Sequence, residues 1–87
     1  RDINLIFNKK YFINEIITYI RKSGKKLLKE VKLVDIYTDK SLGEDNVSYT
    51  FRLSYRDNNK TLKDSDINEL NLNIISNIES KYSAKIR

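Results

Sequence analysis

The sequence predicts an α+β domain with the element order β-α-β-β-α-β: a four-stranded antiparallel sheet carrying two helices on one face. Two kinds of periodicity and one topological rule lead there. Ile3, Leu5 and Phe7, and again Tyr49, Phe51, Leu53 and Tyr55, alternate with polar neighbours as the inward residues of strands do. Ile13, Ile16, Ile17 and Ile20, and later Ile67, Leu70, Ile74 and Ile78, fall at the spacing of an apolar helix face. Strand–helix–strand units prefer right-handed crossovers, which sets both helices on the same side of the sheet.

Taken in order, Asp2–Phe7 is the first strand, with Asp2, Asn4 and Ile6 turned away from the core. Asn8, Lys9 and Lys10 turn the chain. Tyr11–Ser23 is the first helix. Arg21 and Lys22 suit its negative C-terminal end, and Gly24 is placed as the residue that stops it. Leu28–Thr38 is the second strand. Val31 followed closely by Leu33 breaks strict alternation, so a bend or bulge is expected near Lys32. Beyond it, Val34 and Ile36 are expected on the core face, with Leu33, Asp35 and Tyr37 on the other. Asp39–Asn46 is a polar connection around Gly43, and Val47–Arg56 is the third strand. Asp64 is a good N-cap for the second helix, with Asp66 in its first turn. Ser83–Arg87 is a short last strand with Ile86 inward.

This order is that of the ferredoxin-like sandwich. Its second sheet face has no helix to cover it. That bare face is expected to carry Asn4, Leu33, Asp35, Tyr37, Ser48, Thr50, Arg52, Ser54, Lys85 and Arg87.

Eighty-seven residues suffice for one small domain, here residues 1–87, with a single core. The absence of Cys and His excludes disulfides, zinc sites built on those ligands, and imidazole catalysis. Nothing is long and apolar enough to span a membrane, and no signal peptide is visible. The chain begins at Arg1 rather than Met, so a fragment of a longer protein is expected, and the lack of Cys suits a cytoplasmic one. A net charge of +5 suits an anionic partner. An A+T-biased genome also over-supplies Lys, Asn and Ile, so composition alone leaves that point open.

The bare face has the chemistry to hold single-stranded RNA. Tyr37 offers a ring on which a base can stack. Asp35 can accept from base amino or imino groups. Asn4 and Ser48 can donate or accept, and Arg52 and Arg87 can meet phosphate or a base edge. The same residue types are ordinary cross-strand partners on a solvated sheet, and pattern alone does not separate the two readings. The cluster Arg21, Lys22, Lys25, Lys26, Lys29 and Lys32 could track a phosphate backbone, although a solvated helix end accounts for any one of these lysines. Asp64 and Asp66 are explained by helix capping.

Several short stretches, in order along the full chain, are similar to one known family. They are Arg1-Asp2-Ile3, Ile20-Arg21-Lys22-Ser23-Gly24, Val34-Asp35-Ile36-Tyr37, Ser48 before Arg52-Leu53, Thr61-Leu62-Lys63-Asp64 with Asp66, and Lys85-Ile86-Arg87. The chain resembles the ferredoxin-fold anticodon-binding domain at the C-terminus of the bacterial phenylalanyl-tRNA synthetase beta chain. The mitochondrial enzyme carries a similar domain. The resemblance implies an open sheet face that holds the anticodon loop of tRNA-Phe, with Asp35, Tyr37, Ser48 and Arg87 at the family's contacting positions. It implies no cofactor in this domain. ATP and magnesium belong to the parent enzyme, and the rest of the beta chain and the alpha chain are its partners. The family often has Ala where Asn4 stands and a basic residue where Val47 stands. The alternative is a ferredoxin-like regulatory or protein-interaction module. Such sensors often carry a Gly in the first loop, which here is Asn8-Lys9-Lys10. An acylphosphatase-like hydrolase would need a phosphate-cradling Arg loop after the first strand, and none is present.

Overall fold

Alternation in two central strands organises the molecule. The computed structural model describes residues Arg1–Arg87. Its elements are β1 (Asp2–Asn8), α1 (Ile13–Gly24), β2 (Leu28–Tyr37), β3 (Asn46–Tyr55), α2 (Asp64–Tyr82) and β4 (Lys85–Ile86), with a single 3-10 turn at Lys40–Leu42. The sheet order is β2-β3-β1-β4 and every neighbouring pair is antiparallel. The β1–β3 register sets Ile3 opposite Phe51, Leu5 opposite Tyr49 and Phe7 opposite Val47. These side chains form the inner face. Ile16 and Ile20 of α1 and Ile74, Ile78 and Tyr82 of α2 close over it, giving one continuous core. Phe7 lies near its middle, with its ring 5.6–6.3 Å from those of Tyr49, Phe51 and Tyr82. This is the ferredoxin-like arrangement expected from the periodicity. No helix is long and apolar enough to cross a membrane.

The second strand departs from its expected parity. The bulge expected near Lys32 is two irregularities flanking it, one between Leu28 and Glu30 and one between Leu33 and Asp35. Before the second, Val31 and Leu33 stand opposite Leu53 and Phe51, so Leu33 faces the core rather than the open face. The bulge then uses up Val34 without a partner, and Asp35 and Tyr37 emerge on the open face after all. Val34 and Ile36 do not enter the core: they are 41% and 60% exposed. Ile36 does stand opposite Tyr49 on the helix side, but β2 is an edge strand and nothing covers it there. Ile86 is likewise opposite Leu5 yet 60% exposed on the other edge, and Ala84 is buried in its place.

Helix boundaries were shifted by packing and capping. Gly24 is the last residue of α1, not the residue beyond it, and the positive φ falls on Lys25. Glycine is required at 24 for room: a Cβ there would lie 2.3 Å from Leu28 Cβ. At α2 the cap position belongs to Lys63, whose backbone N–H donates to Asp66 Oδ2 at 3.1 Å. Asp66, three residues inside, therefore supplies the capping carboxylate instead of Asp64. At the far side of the core the Tyr55 hydroxyl bonds Asn71, and burial pushes its pKa up to about 12.

Candidate nucleic-acid interface

Antiparallel register sorts the open face into rows that run across the strands. One row is Tyr37, Ser48, Ile6 and Lys85, taken from β2 to β4. The next is Asp35, Thr50 and Asn4, joined at its end by Arg87, whose backbone N–H donates to Asn4 O at 3.1 Å. A third is Lys32, Arg52 and Asp2. Side chains two residues apart on one strand share a face at roughly 7 Å, so adjacent rows are in reach of each other.

Four of the residues singled out in the sequence meet where the first two rows join. The Arg87 guanidinium lies 4.2 Å from the centre of the Tyr37 ring. Its Nη1 donates to Ser48 Oγ at 3.3 Å. Ser48 in turn donates its only proton to Asn4 Oδ1 at 2.7 Å. Each strand contributes one member: Tyr37 from β2, Ser48 from β3, Asn4 from β1, and Arg87 from the extension of β4. A side chain on an uncovered face would ordinarily be wet, but Ser48 is only 1% exposed. Tyr37 is 41% exposed beside it. Asp35 is exposed on the same strand as Tyr37 and takes part in none of the three ion pairs.

Arg52 stands apart. It is held by Asp2 directly opposite, Nε to Oδ1 at 2.9 Å and Nη2 to Oδ2 at 3.2 Å. This two-pronged bond holds the Asp2 carboxyl below the ordinary carboxylate range and raises the Arg52 guanidinium further. Lys32 pairs with Glu30 at 3.2 Å. The charges at this end of the face therefore neutralise one another, whereas Arg87 and Lys85 have no ion-pair partner. Arg87 also helps to hold the Asp39 carboxyl below its usual range, after the larger effect of hydrogen bonds from Ser41.

Asp2 as the partner of Arg52, and the burial of Ser48, escaped the sequence reading. The first had a signal, since Asp2 shares its strand parity with Asn4 and falls opposite Arg52 once the β1–β3 register is fixed. The second had none, because it depends on where the long Arg87 side chain lies. The Lys25 and Lys26 cluster precedes the other end of β2. Nine residue steps, about 30 Å, separate Leu28 from Tyr37.

The face offers a ring, a guanidinium, an amide, a hydroxyl and a carboxylate, and it holds no cysteine or histidine nucleophile. Groups of these kinds can stack on bases and hydrogen-bond base edges and phosphates. A family model described as "Ferredoxin-fold anticodon binding domain" matches residues 1–87. Over all 87 residues the chain is 59% identical to the phenylalanine–tRNA ligase beta subunit of Prochlorococcus marinus subsp. pastoris. It is 55% identical to that of Prochlorococcus marinus strain MIT 9312 and 31% identical to that of Clostridium acetobutylicum. The chain spans 11% of the length of each of these relatives.

Proposed function

The chain belongs to the ferredoxin-fold anticodon-binding domain family, and we propose that it recognises the anticodon loop of tRNA-Phe on its open sheet face as part of a phenylalanine–tRNA ligase beta subunit. The observation that carries this reading is the cluster of Tyr37, Ser48, Asn4 and Arg87, one residue from each strand, on the face that no helix covers. Of these, Ser48 and Asn4 are bonded to each other across neighbouring strands before any RNA arrives, which lowers the ordering cost of binding for that pair.

In this reading an anticodon base stacks on Tyr37, a contact worth about 1–3 kcal/mol. Arg87 occupies that ring in the free domain, a cation–π contact worth about 0.5–1 kcal/mol at an exposed site. The base takes its place, and the guanidinium moves to a phosphate. Its departure uncovers Ser48, whose hydroxyl, oriented by Asn4, then faces the base edge. Asp35, one step along β2, accepts from a base amino or imino group. Arg52 reaches phosphate only by giving up Asp2, so it serves the backbone at the far end of the face. Aminoacylation, with its ATP and magnesium, belongs to other parts of a cytoplasmic ligase, and the alpha chain and the rest of the beta chain are this domain's protein partners.

The deciding experiment is a titration of the intact protein carrying this domain with tRNA-Phe, with a non-cognate tRNA and with tRNA-Phe substituted in the anticodon. Tighter binding of the unsubstituted cognate tRNA is expected. Equal affinity for all three overturns the reading.

A further inference from the structure

Beside the cluster, at the end of the sheet where β1 finishes and β3 begins, lies a cavity of about 370 Å³. That is within the range of small-ligand sites, about 300–1,000 Å³. It abuts the open face directly, because Ile6 and Lys85 line it and both stand in the row of Tyr37 and Ser48. From Tyr37 to Ile6 is two strand spacings, about 10 Å, a short step along a splayed-out RNA loop.

The lining has a consistent chemistry. Ile6, Tyr11 and Leu42 supply apolar and aromatic surface. Lys10 and Lys85 bring two positive charges; neither is in an ion pair, and no Asp or Glu lines the cavity. The Lys10 ammonium sits 5.2 Å from the centre of the Tyr11 ring, so a cation and an aromatic surface are presented together. Tyr82 also lines it, its ring packed edge-on against that of Tyr11 with the centres 4.8 Å apart.

We propose that this cavity is a second nucleotide subsite, taking a neighbouring nucleotide of the same RNA loop, with its base against Ile6, Tyr11 and Leu42 and its phosphate on Lys10 and Lys85. The proposal rests on the reading of the open face as an RNA surface. It adds to that reading a place outside the sheet plane where the loop is anchored, so that the base on Tyr37 is held by its neighbour as well as by its own stack.

The test uses the intact protein carrying this domain and labelled anticodon stem-loops in which each loop nucleotide in turn is made abasic. In the wild type, two loop positions are expected to be sensitive: the cavity position by roughly fivefold to a hundredfold, the range for one stacked base, and the Tyr37 position by roughly eightfold, because a base there must also displace Arg87. Tyr37→Ala should abolish the sensitivity of one of them. Ser41→Tyr places a ring from an exposed wall residue into the cavity without touching the core. It should abolish the sensitivity of the other and leave the Tyr37 position unchanged. Lys10→Gln with Lys85→Gln should weaken every stem-loop and reduce the salt dependence of binding. If Ser41→Tyr leaves the whole abasic profile as in the wild type while Tyr37→Ala alters it, the cavity is not a subsite and the open-face reading stands. If the wild type binds no stem-loop, or Tyr37→Ala changes nothing, the open-face reading fails and this proposal fails with it.

Discussion

Truncating Tyr37 to Ala removes the stacking platform, and the structure sets the size of the effect. A stacked base is worth about 1–3 kcal/mol, but in the free domain the ring already carries Arg87, and displacing it costs about 0.5–1 kcal/mol. At mid-range values the net loss on binding is then about 1.2 kcal/mol, roughly an eightfold rise in Kd. Tyr37→Phe keeps the ring and should bind within about twofold of wild type. Fluorescence anisotropy with a labelled anticodon stem-loop, at one fixed salt concentration, measures all of these. Arg87 makes the test sharper. If the base replaces the guanidinium, Arg87→Ala frees the ring while losing a phosphate contact, so it should weaken binding less in the wild-type background than in the Tyr37→Ala background. The opposite order would mean that base, guanidinium and ring stack together. Wild-type affinity in Tyr37→Ala, or an equal loss in Tyr37→Phe, would refute the stacking role altogether.

Asp35→Asn keeps the shape but turns one acceptor into a donor, so aminoacylation of unsubstituted tRNA-Phe should suffer more than that of an anticodon-substituted tRNA; equal losses would leave Asp35 a surface residue. Binding should weaken steeply as salt rises, and replacing Lys25 and Lys26 by Ala should weaken all tRNAs about equally, because those lysines precede the end of β2 remote from Tyr37 and would meet phosphate rather than the base stacked there. Binding flat in salt would favour a protein-interaction role instead. The Asp2 carboxyl is held low by Arg52, so the pair's contribution to stability is present above the ordinary carboxyl value of 3.8 and is lost as pH falls through the lowered native value. Thermal unfolding of Asp2→Asn against wild type should therefore show a gap at pH 7 that closes in acid, and a gap that persists there would count against the pair. Gly24→Ala forces a Cβ against Leu28 and should cost about 1–3 kcal/mol in urea unfolding, with no change in RNA contacts.

The periodicity of β1, β3 and the two helices was enough to determine the architecture. In those segments the side-chain period is tied to burial: a strand covered on one face must alternate, and a helix on that sheet must repeat near 3.6 residues. Ile3, Leu5, Phe7, Phe51, Leu53, Ile16, Ile20, Ile74 and Ile78 all obey this and all are buried. Edge strands escape that constraint. Val34, Ile36 and Ile86 look like core residues in sequence and are exposed, because an edge can carry apolar side chains that nothing covers. The bulge after Leu33 reverses parity at a single residue, which no local preference announces.

The candidate site divides in the same way. That Asn4 and Ser48 share a face follows from strand parity, and the capping of α2 by an acidic first turn follows from local chemistry; Asp35 and Tyr37 join that face only because the bulge after Leu33 reverses the parity of β2. Which of them touch was decided by tertiary structure alone. Arg87 and Tyr37 are 50 positions apart and three strands apart, and only the sheet order β2-β3-β1-β4 brings the guanidinium over the ring and buries Ser48 beneath the charge. Arg52, with the same side chain and the same parity, was taken by Asp2 because register set a carboxylate directly opposite. Side-chain direction is a property of the strand and can be read along the chain. Partnership between long side chains depends on register and distance between strands remote in sequence, and those exist only once the sheet has formed.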